Sequence, residues 1–164
     1  MKNMKISSVA FEEKGAIPAK YTCDGENINP PLMISEIPKK TESLVLIMDD
    51  PDIPDFVKAS KNIEVFDHWV VFNIKITEGK GEWSENLVIE EGVESDGMKG
   101  VNSTGSLGYM GPCPPDGEHR YFFKVYALSS YINLPEGASK AQVEEAMENL
   151  VLDSAKVVGL YERN

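Results

Sequence analysis

The sequence predicts a mostly β protein, a β-sandwich of several short strands with one helix near the end of the chain. Short runs rich in branched and aromatic residues alternate with Gly and Pro turn signals over most of the length. Only residues 139–150 show the helical spacing of apolar side chains. A chain of 164 residues suits one domain, residues 1–164, with a substantial core.

The first half of the chain is expected to contribute strands and irregular loops. Residues 4–11 show a weak β alternation, and residues 12–38 are interrupted by Gly and Pro, which favours short strands over helix. The run at 43–48 is apolar and rich in branched residues, which predicts a buried strand. Residues 55–66 are mixed in polarity and predict a surface loop with a turn of helix.

The next predicted strand, residues 67–76, is apolar on both sides, as is typical of a central strand. Strict alternation would place His68, Val70, Phe72 and Ile74 on one face, with Trp69 and Val71 on the other. Further along the chain, residues 121–128 and 156–161 are also expected to form strands.

The late helix begins with a capping-box signature. Ser139 is followed three residues later by Gln142, and apolar residues then recur at helical spacing. We expect its apolar face to pack on the sheet; binding in a partner's groove is the alternative.

The charge of the chain argues against two classes of partner. Sixteen basic and 27 acidic residues give a formal net charge of −11. Nucleic acids and anionic membranes prefer basic patches, so neither is an expected partner. No apolar run approaches the roughly 20 residues of a membrane span, so membrane insertion is not expected. The first residues lack the apolar segment of a secretory signal, which predicts a cytoplasmic location.

The two cysteines, Cys23 and Cys113, are too few for a disulfide framework or a zinc site. Free thiols are the expectation for a cytoplasmic chain. A bond between the two remains open if the fold brings their Cα atoms within about 7 Å.

A loop dense in Gly and Pro, residues 108–118, leads into the strand that starts near His119. Proline restricts the shapes of such a loop, and glycine lets the backbone approach a ligand closely. His119 and Tyr121 should point to the same side of the strand. The only other histidine is His68, and Asp50 follows the strand at 43–48. Strand ends meeting at one sheet edge would bring these four side chains together, although each can also be read as a structural residue.

These segments resemble the phosphatidylethanolamine-binding protein family, and more closely its bacterial and archaeal Raf-kinase-inhibitor-like branch. The resemblance covers nearly the whole chain. It is carried by Asp50–Pro54, His68–Trp69, Gly111–Pro112 and His119–Tyr121, with further matches at Tyr21–Gly25, Asn29–Leu32, Val101–Ser103 and Val158–Arg163.

The resemblance implies a fold and a site. The implied fold is a large antiparallel sheet, a smaller sheet, a C-terminal helix and short helical pieces, with a pocket at one end. The implied ligand is a phosphate, or a phosphorylated head group or side chain. The implied ligand-binding residues are Asp50, His68, Gly111, His119 and Tyr121, with Pro54, Phe66 and Pro112 as an apolar wall.

The chemistry of these residue types suits an anion. Both histidines and the Tyr121 hydroxyl can donate hydrogen bonds, and the Gly111 N–H is a further candidate donor. Asp50 can hold one histidine in a fixed tautomer and favour its cation. The expected site therefore contains no Lys or Arg; Arg120 should point away and pair with an acidic neighbour. No cofactor or metal is expected.

The expected function is non-catalytic binding of a small anionic or phosphorylated ligand, with a regulatory role. The alternatives are a protein-contact inhibitor of a kinase or protease, whose target the sequence does not name, and a hydrolase using His and Asp. A hydrolase would need a nucleophile beside its base, and no nucleophile-elbow pattern is present. A homodimer is a further open possibility.

One backbone feature is also expected. The segment Asp50–Pro54 must turn sharply after a strand, and cis bonds occur before proline in tight turns. The resemblance implies the same, so the Ile53–Pro54 bond is predicted to be cis.

Overall fold

The computed structural model describes residues 3–78 and 82–164. Two α-helices, α1 (Asp55–Lys61) and α2 (Lys140–Met147), accompany a 3-10 turn at Ala19–Tyr21. The strands are β1 (Lys5–Ser7), β2 (Gly15–Ala16), β3 (Leu32–Ser35), β4 (Ser43–Asp50), β5 (Phe66–Ile74), β6 (Thr77–Glu78), β7 (Glu82–Trp83), β8 (Leu87–Ile89), β9 (Met98–Lys99), β10 (His119–Leu128) and β11 (Val151–Tyr161).

The strands form the two sheets of the predicted sandwich. The large sheet has the order β2-β11-β10-β4-β5-β9, and all its pairs are antiparallel except β2 with β11. The smaller sheet has the order β1-β3-β8, and β6 pairs with β7 as a separate hairpin. The mostly β fold class is therefore confirmed.

The apolar side chains divide between the two faces of the large sheet. Met48, Trp69 and Phe123 are among the residues that pack between the sheets. Val45 and Phe72 lie in a second cluster with Val143 of α2. The helix therefore covers the outer face of the sheet, as its pattern predicts.

The start of α2 is the predicted capping box. The Ser139 hydroxyl accepts a hydrogen bond from the Gln142 N–H at 3.2 Å, and the Gln142 side-chain oxygen accepts from the Ser139 N–H at 2.9 Å. With 8 residues, α2 is the longer helix of the described chain. In this part of the chain, therefore, no helix is long enough to cross a lipid bilayer.

The alternation predicted for β5 holds for residues 69–72 but is wrong for His68 and Ile74, because the strand is irregular at both ends. Its pairing with β4 shifts register between Met48 and Asp49 and again between Leu44 and Leu46. Val70 and Phe72 face α2, whereas Ile74 packs between the sheets and His68 packs edge-on against Tyr121. A β-bulge redirects side chains in this way, and this one turns His68 towards the inner side.

The Ile53–Pro54 bond is trans, as are the other peptide bonds in the described residues, so the cis prediction is wrong. The turn after β4 is made differently. One oxygen of the Asp50 carboxylate accepts the Asp52 N–H at 2.7 Å, which bends the backbone through a local side-chain bond. Pro54 then stands at the N-cap of α1.

The free-thiol prediction is also wrong, because Cys23 and Cys113 form a disulfide with a Cα–Cα distance of 5.4 Å. Ninety residues separate them along the chain. Their loops lie side by side, since the Cys23 N–H donates to the Pro112 carbonyl at 3.1 Å. The prediction depended on an assumed reducing compartment rather than on geometry.

Candidate functional site

A cavity of about 210 Å³ opens at the end of the sandwich where β4 ends and β5 and β10 begin. Helix α1 and the loop preceding β10 complete its wall. The lining residues are Asp50, Ile53, Val57, Lys61, Phe66, His68, Met110, Gly111, Cys113, Pro114, Pro115 and Tyr121. The volume is below the 300–1,000 Å³ of most drug-sized sites, so the cavity suits a small group.

The structure brings together most of the residues that the sequence singles out. Those that line the cavity are Asp50, Phe66, His68, Gly111 and Tyr121. Those that stand beside it are His119, Pro54 and Pro112. His119 lies one layer behind the wall, because its ring bonds to Asp50 and is almost fully buried.

Asp50 and His119 hold each other in place. His119 Nδ1 lies 2.7 Å from one Asp50 carboxylate oxygen, and the other accepts the Asp52 N–H. His119 Nε2 lies 3.1 Å from the Asp116 carboxylate. Both ring nitrogens therefore have protein partners, and His119 has no spare donor for a ligand while Asp116 stays in place.

The protonation of this pair follows from its surroundings. Burial favours the neutral form of His119, but the hydrogen bonds to Asp50 and Asp116 outweigh it and raise its pKa above the usual value. Burial raises the pKa of Asp50, and the bonds from His119 and the Asp52 N–H oppose this only in part. The pair therefore retains a proton more strongly than separated groups would.

His68 has a different environment. Its Nδ1 lies 2.7 Å from the Met110 carbonyl oxygen, and its own carbonyl accepts the Met110 N–H at 2.9 Å. Burial is the main influence on the ring and lowers its pKa to about 4, although the bond to Met110 opposes the shift. His68 is therefore neutral near pH 7, in contrast to the cationic donor that its residue type suggests.

The Tyr121 hydroxyl is the one buried donor at this site without a partner among the described residues. Burial and the nearby Asp50 and Asp52 charges raise its pKa, so the oxygen keeps its proton at neutral pH. A buried hydroxyl without a hydrogen bond is costly, which makes a ligand oxygen at this position favourable.

Gly111 lines the cavity, but its N–H is not a free donor as predicted. The N–H donates to the Asn27 side-chain oxygen at 2.8 Å. A Cβ here would collide with the Tyr21 carbonyl oxygen and the Asn27 side chain. Glycine is therefore required for close packing of the loop against residues 21–27.

Helix α1 supplies wall residues that the sequence reasoning missed. Ile53 precedes the helix, and Val57 and Lys61 follow at four-residue spacing, so all three face the cavity. The helical spacing of these three residues was the signal available in the sequence. Lys61 also corrects the expectation of a site without Lys or Arg.

Arg120 points away from Tyr121, as expected. Its guanidinium makes two bonds to the Asp52 carboxylate, at 2.8 and 2.9 Å, and its backbone N–H makes a third at 2.9 Å. Arg120 therefore fixes the segment that follows Asp50, outside the cavity.

Known proteins match nearly the whole chain. Residues 7–162 match the family model of phosphatidylethanolamine-binding protein. A UPF0098 protein of Methanothermobacter thermautotrophicus is 48% identical, and the match covers 98% of this chain and 99% of that protein. The crystal structure of a homolog of this family from Chlamydia trachomatis covers 100% of both chains, with a TM-score of 0.88 at 37% identity. Escherichia coli YbcL, at 24% identity and a TM-score of 0.82 over 99% of this chain, shares the fold.

Proposed function

Because this chain belongs to the phosphatidylethanolamine-binding protein family, we propose that it is a non-catalytic binding protein whose cavity takes a phosphate group. The ligand is a small phosphorylated molecule, held with one phosphate oxygen on the Tyr121 hydroxyl. The observation that carries the proposal is this buried donor, which lines the cavity and lacks a partner among the described residues.

Charge near the cavity supports an anion. Lys61 is part of the wall, and behind Asp50 the pKa of His119 is raised by its hydrogen bonds to Asp50 and Asp116, which outweigh its burial. The rest of the wall is mostly apolar, with Ile53, Val57 and Phe66 among its residues. A wall of this kind excludes water and strengthens the few polar contacts that it surrounds.

Binding without catalysis is supported by the composition of the cavity. Its described lining contains no serine or threonine, and the sulfur of Cys113 is committed to the disulfide. Both nitrogens of His119 are occupied by carboxylates, so this residue is not a free general base.

The test is calorimetric titration of the protein with O-phosphorylethanolamine. Tyr121→Phe removes the donor and keeps the ring, and we expect a loss of about ten- to a hundredfold in affinity. Tyr126→Phe is the matched control, since Tyr126 lies on the same strand but packs on the α2 side. Equal affinity of wild type and Tyr121→Phe would refute the proposal. Release of inorganic phosphate during the titration would indicate a hydrolase instead.

A further inference from the structure

Helix α1 is attached to the rest of the molecule only weakly. None of its residues is buried, and Phe56 is 65% exposed. Its side-chain contacts are local, since the Ser60 hydroxyl donates to the Val57 carbonyl at 3.3 Å and Lys58 pairs with Glu64 at 4.0 Å. Within the part of the chain that the structure describes, no hydrogen bond or ion pair joins α1 to another strand or helix.

The other helix is held much more firmly. Helix α2 has a complete capping box, buries Val143 and Met147 against the large sheet, and pairs Lys140 with Asp49 and Asp67 at 3.4 and 2.8 Å. The two helices have 7 and 8 residues, so length does not account for the difference. A segment with few buried contacts opens locally at little cost in free energy, and α1 should therefore open more readily than α2.

Both ends of α1 are nevertheless fixed. Ile53, two residues before the helix, is 7% exposed, and Phe66 pairs with Asp50 where β5 begins. Asn62 ends the helix in the left-handed conformation, with a φ of 55°. The helix can therefore move away from the cavity as a flap while the sheet stays intact.

The inner side of α1 carries the one Lys or Arg of the described cavity lining. Val57 and Lys61 line the cavity together, one helical turn apart. Lys58 of the same helix has a carboxylate partner, whereas no ion pair of Lys61 is found among the described residues. Asp50, the one acidic residue of the lining, is already bonded to His119.

Building on the proposed phosphate function, we propose that α1 is a lid over the cavity, and that the bound anion holds it closed through Lys61. A phosphate oxygen supplies the opposite charge that Lys61 lacks, so binding favours the closed position. Lys61 is exposed, and an ion pair at such a position is worth about two- to fivefold in affinity. By linkage, the ligand stabilises the closed lid by the same factor.

Hydrogen–deuterium exchange followed by mass spectrometry tests the lid. Without ligand, the helical amides of residues 55–62 should exchange faster than those of residues 140–147, which serve as the internal reference. Saturating O-phosphorylethanolamine should slow exchange in residues 55–62 about two- to fivefold and leave residues 140–147 unchanged.

Two variants test the role of Lys61. Lys61→Gln and Lys58→Gln remove the same charge from the same helix, but only Lys61 lines the cavity. In calorimetric titration, Lys61→Gln should bind O-phosphorylethanolamine about two- to fivefold more weakly, and Lys58→Gln should bind it like wild type. At ligand concentrations that saturate each variant, exchange in residues 55–62 should slow in Lys58→Gln but not in Lys61→Gln.

The outcomes distinguish this inference from the function beneath it. Equal exchange of the two helices in the free protein would show that α1 is not a lid. Equal losses of affinity in the two variants, or slowed exchange that persists in Lys61→Gln, would show that Lys61 does not hold the lid. Each of these results overturns the inference while the phosphate function stands. If O-phosphorylethanolamine does not bind wild type, the inference and the proposed function both fail.

Discussion

The two histidines have the same ordinary pKa, yet the fold shifts their pKa values in opposite directions. His119 faces two carboxylates, whereas His68 faces a carbonyl oxygen and aromatic rings. Residue type alone suggested two equivalent anion donors. The difference arises from which groups the surrounding loops and strand ends bring to each ring, and a linear sequence does not specify those partners.

This contrast predicts a pH dependence of stability. A histidine whose pKa is lower in the folded state stabilises the protein fully above its unfolded value of about 6.5, and the contribution is lost as the pH falls. For His68 the window is about pH 6.5 to 4, and the loss is on the order of 3 kcal/mol. Urea unfolding of wild type and His68→Gln across this window should show the difference in unfolding free energy changing by that amount.

The titration of His119 does not interfere with this experiment. The pKa of His119 is raised, so its stabilising effect is complete below pH 6.5 and is lost only at higher pH. The pKa of Asp50 is also raised, so protonation of Asp50 stabilises the folded state as the pH falls and opposes the effect of His68. The effect of His68 is therefore obtained from the difference between wild type and His68→Gln. Parallel curves for wild type and His68→Gln would show that His68 does not titrate in this window.

At the scale of elements, regular patterns were predictable and their interruptions were not. The burial of the 43–48 run and the capping box of α2 follow from local sequence, because each depends on neighbouring residues. The bulge that turns His68 inward depends on how β5 registers against β4. That register is a tertiary property, so strict alternation assigned His68 and Ile74 to the wrong face.

The loops show the same limit. Gly111 suggested close approach of a ligand, but the nearest groups are the Tyr21 carbonyl and the Asn27 side chain. A ligand or these protein groups could each lie against Gly111 only if this residue has no side chain. The sequence does not show which of the two occupies the space beside it. The cis bond was expected from the sharp turn after β4, which the Asp50 carboxylate makes with a trans Pro54 instead.

The capping box of α2 gives a prediction at this scale. Ser139→Ala leaves the Gln142 N–H without its partner and should lower the free energy of unfolding by about 0.5–2 kcal/mol. Denaturant unfolding measures the loss. Ser129→Ala is the control, because this exposed serine precedes α2 in the chain and its recorded hydrogen bond uses only the backbone. Equal effects of the two substitutions would show that the cap does not contribute.

At the scale of the whole molecule, the sandwich brings distant parts of the chain to one end. Asp50, His68 and Tyr121 come from β4, β5 and β10, and the loop preceding β10 packs on the segment at residues 21–27. The sequence indicated which segments would meet, since each follows or precedes a strand. That α1 would close the cavity with Lys61 was not predicted, because the mixed polarity of residues 55–66 obscures the four-residue spacing of Ile53, Val57 and Lys61.

The disulfide is the covalent part of this assembly. It joins Cys23 to Cys113 across 90 residues, and Cys113 is also part of the cavity wall. A cross-link over a loop of this length restricts the unfolded chain strongly, and native disulfides typically contribute about 2–4 kcal/mol. For a domain of this size, each kcal/mol corresponds to roughly 2–4 °C in melting temperature.

Reduction should therefore lower the melting temperature by roughly 5–15 °C, as measured by calorimetry with and without a thiol reductant. Cys23→Ser with Cys113→Ser should melt at the temperature of the reduced wild type and should not respond to the reductant, which serves as the control. Because Cys113 lies beside Gly111 and Pro114 in the wall, the reduced protein should also bind O-phosphorylethanolamine more weakly. A wild type whose melting temperature is unchanged by complete reduction would show that the hydrogen bond between Cys23 and Pro112, and the packing around it, suffice to hold these two segments together.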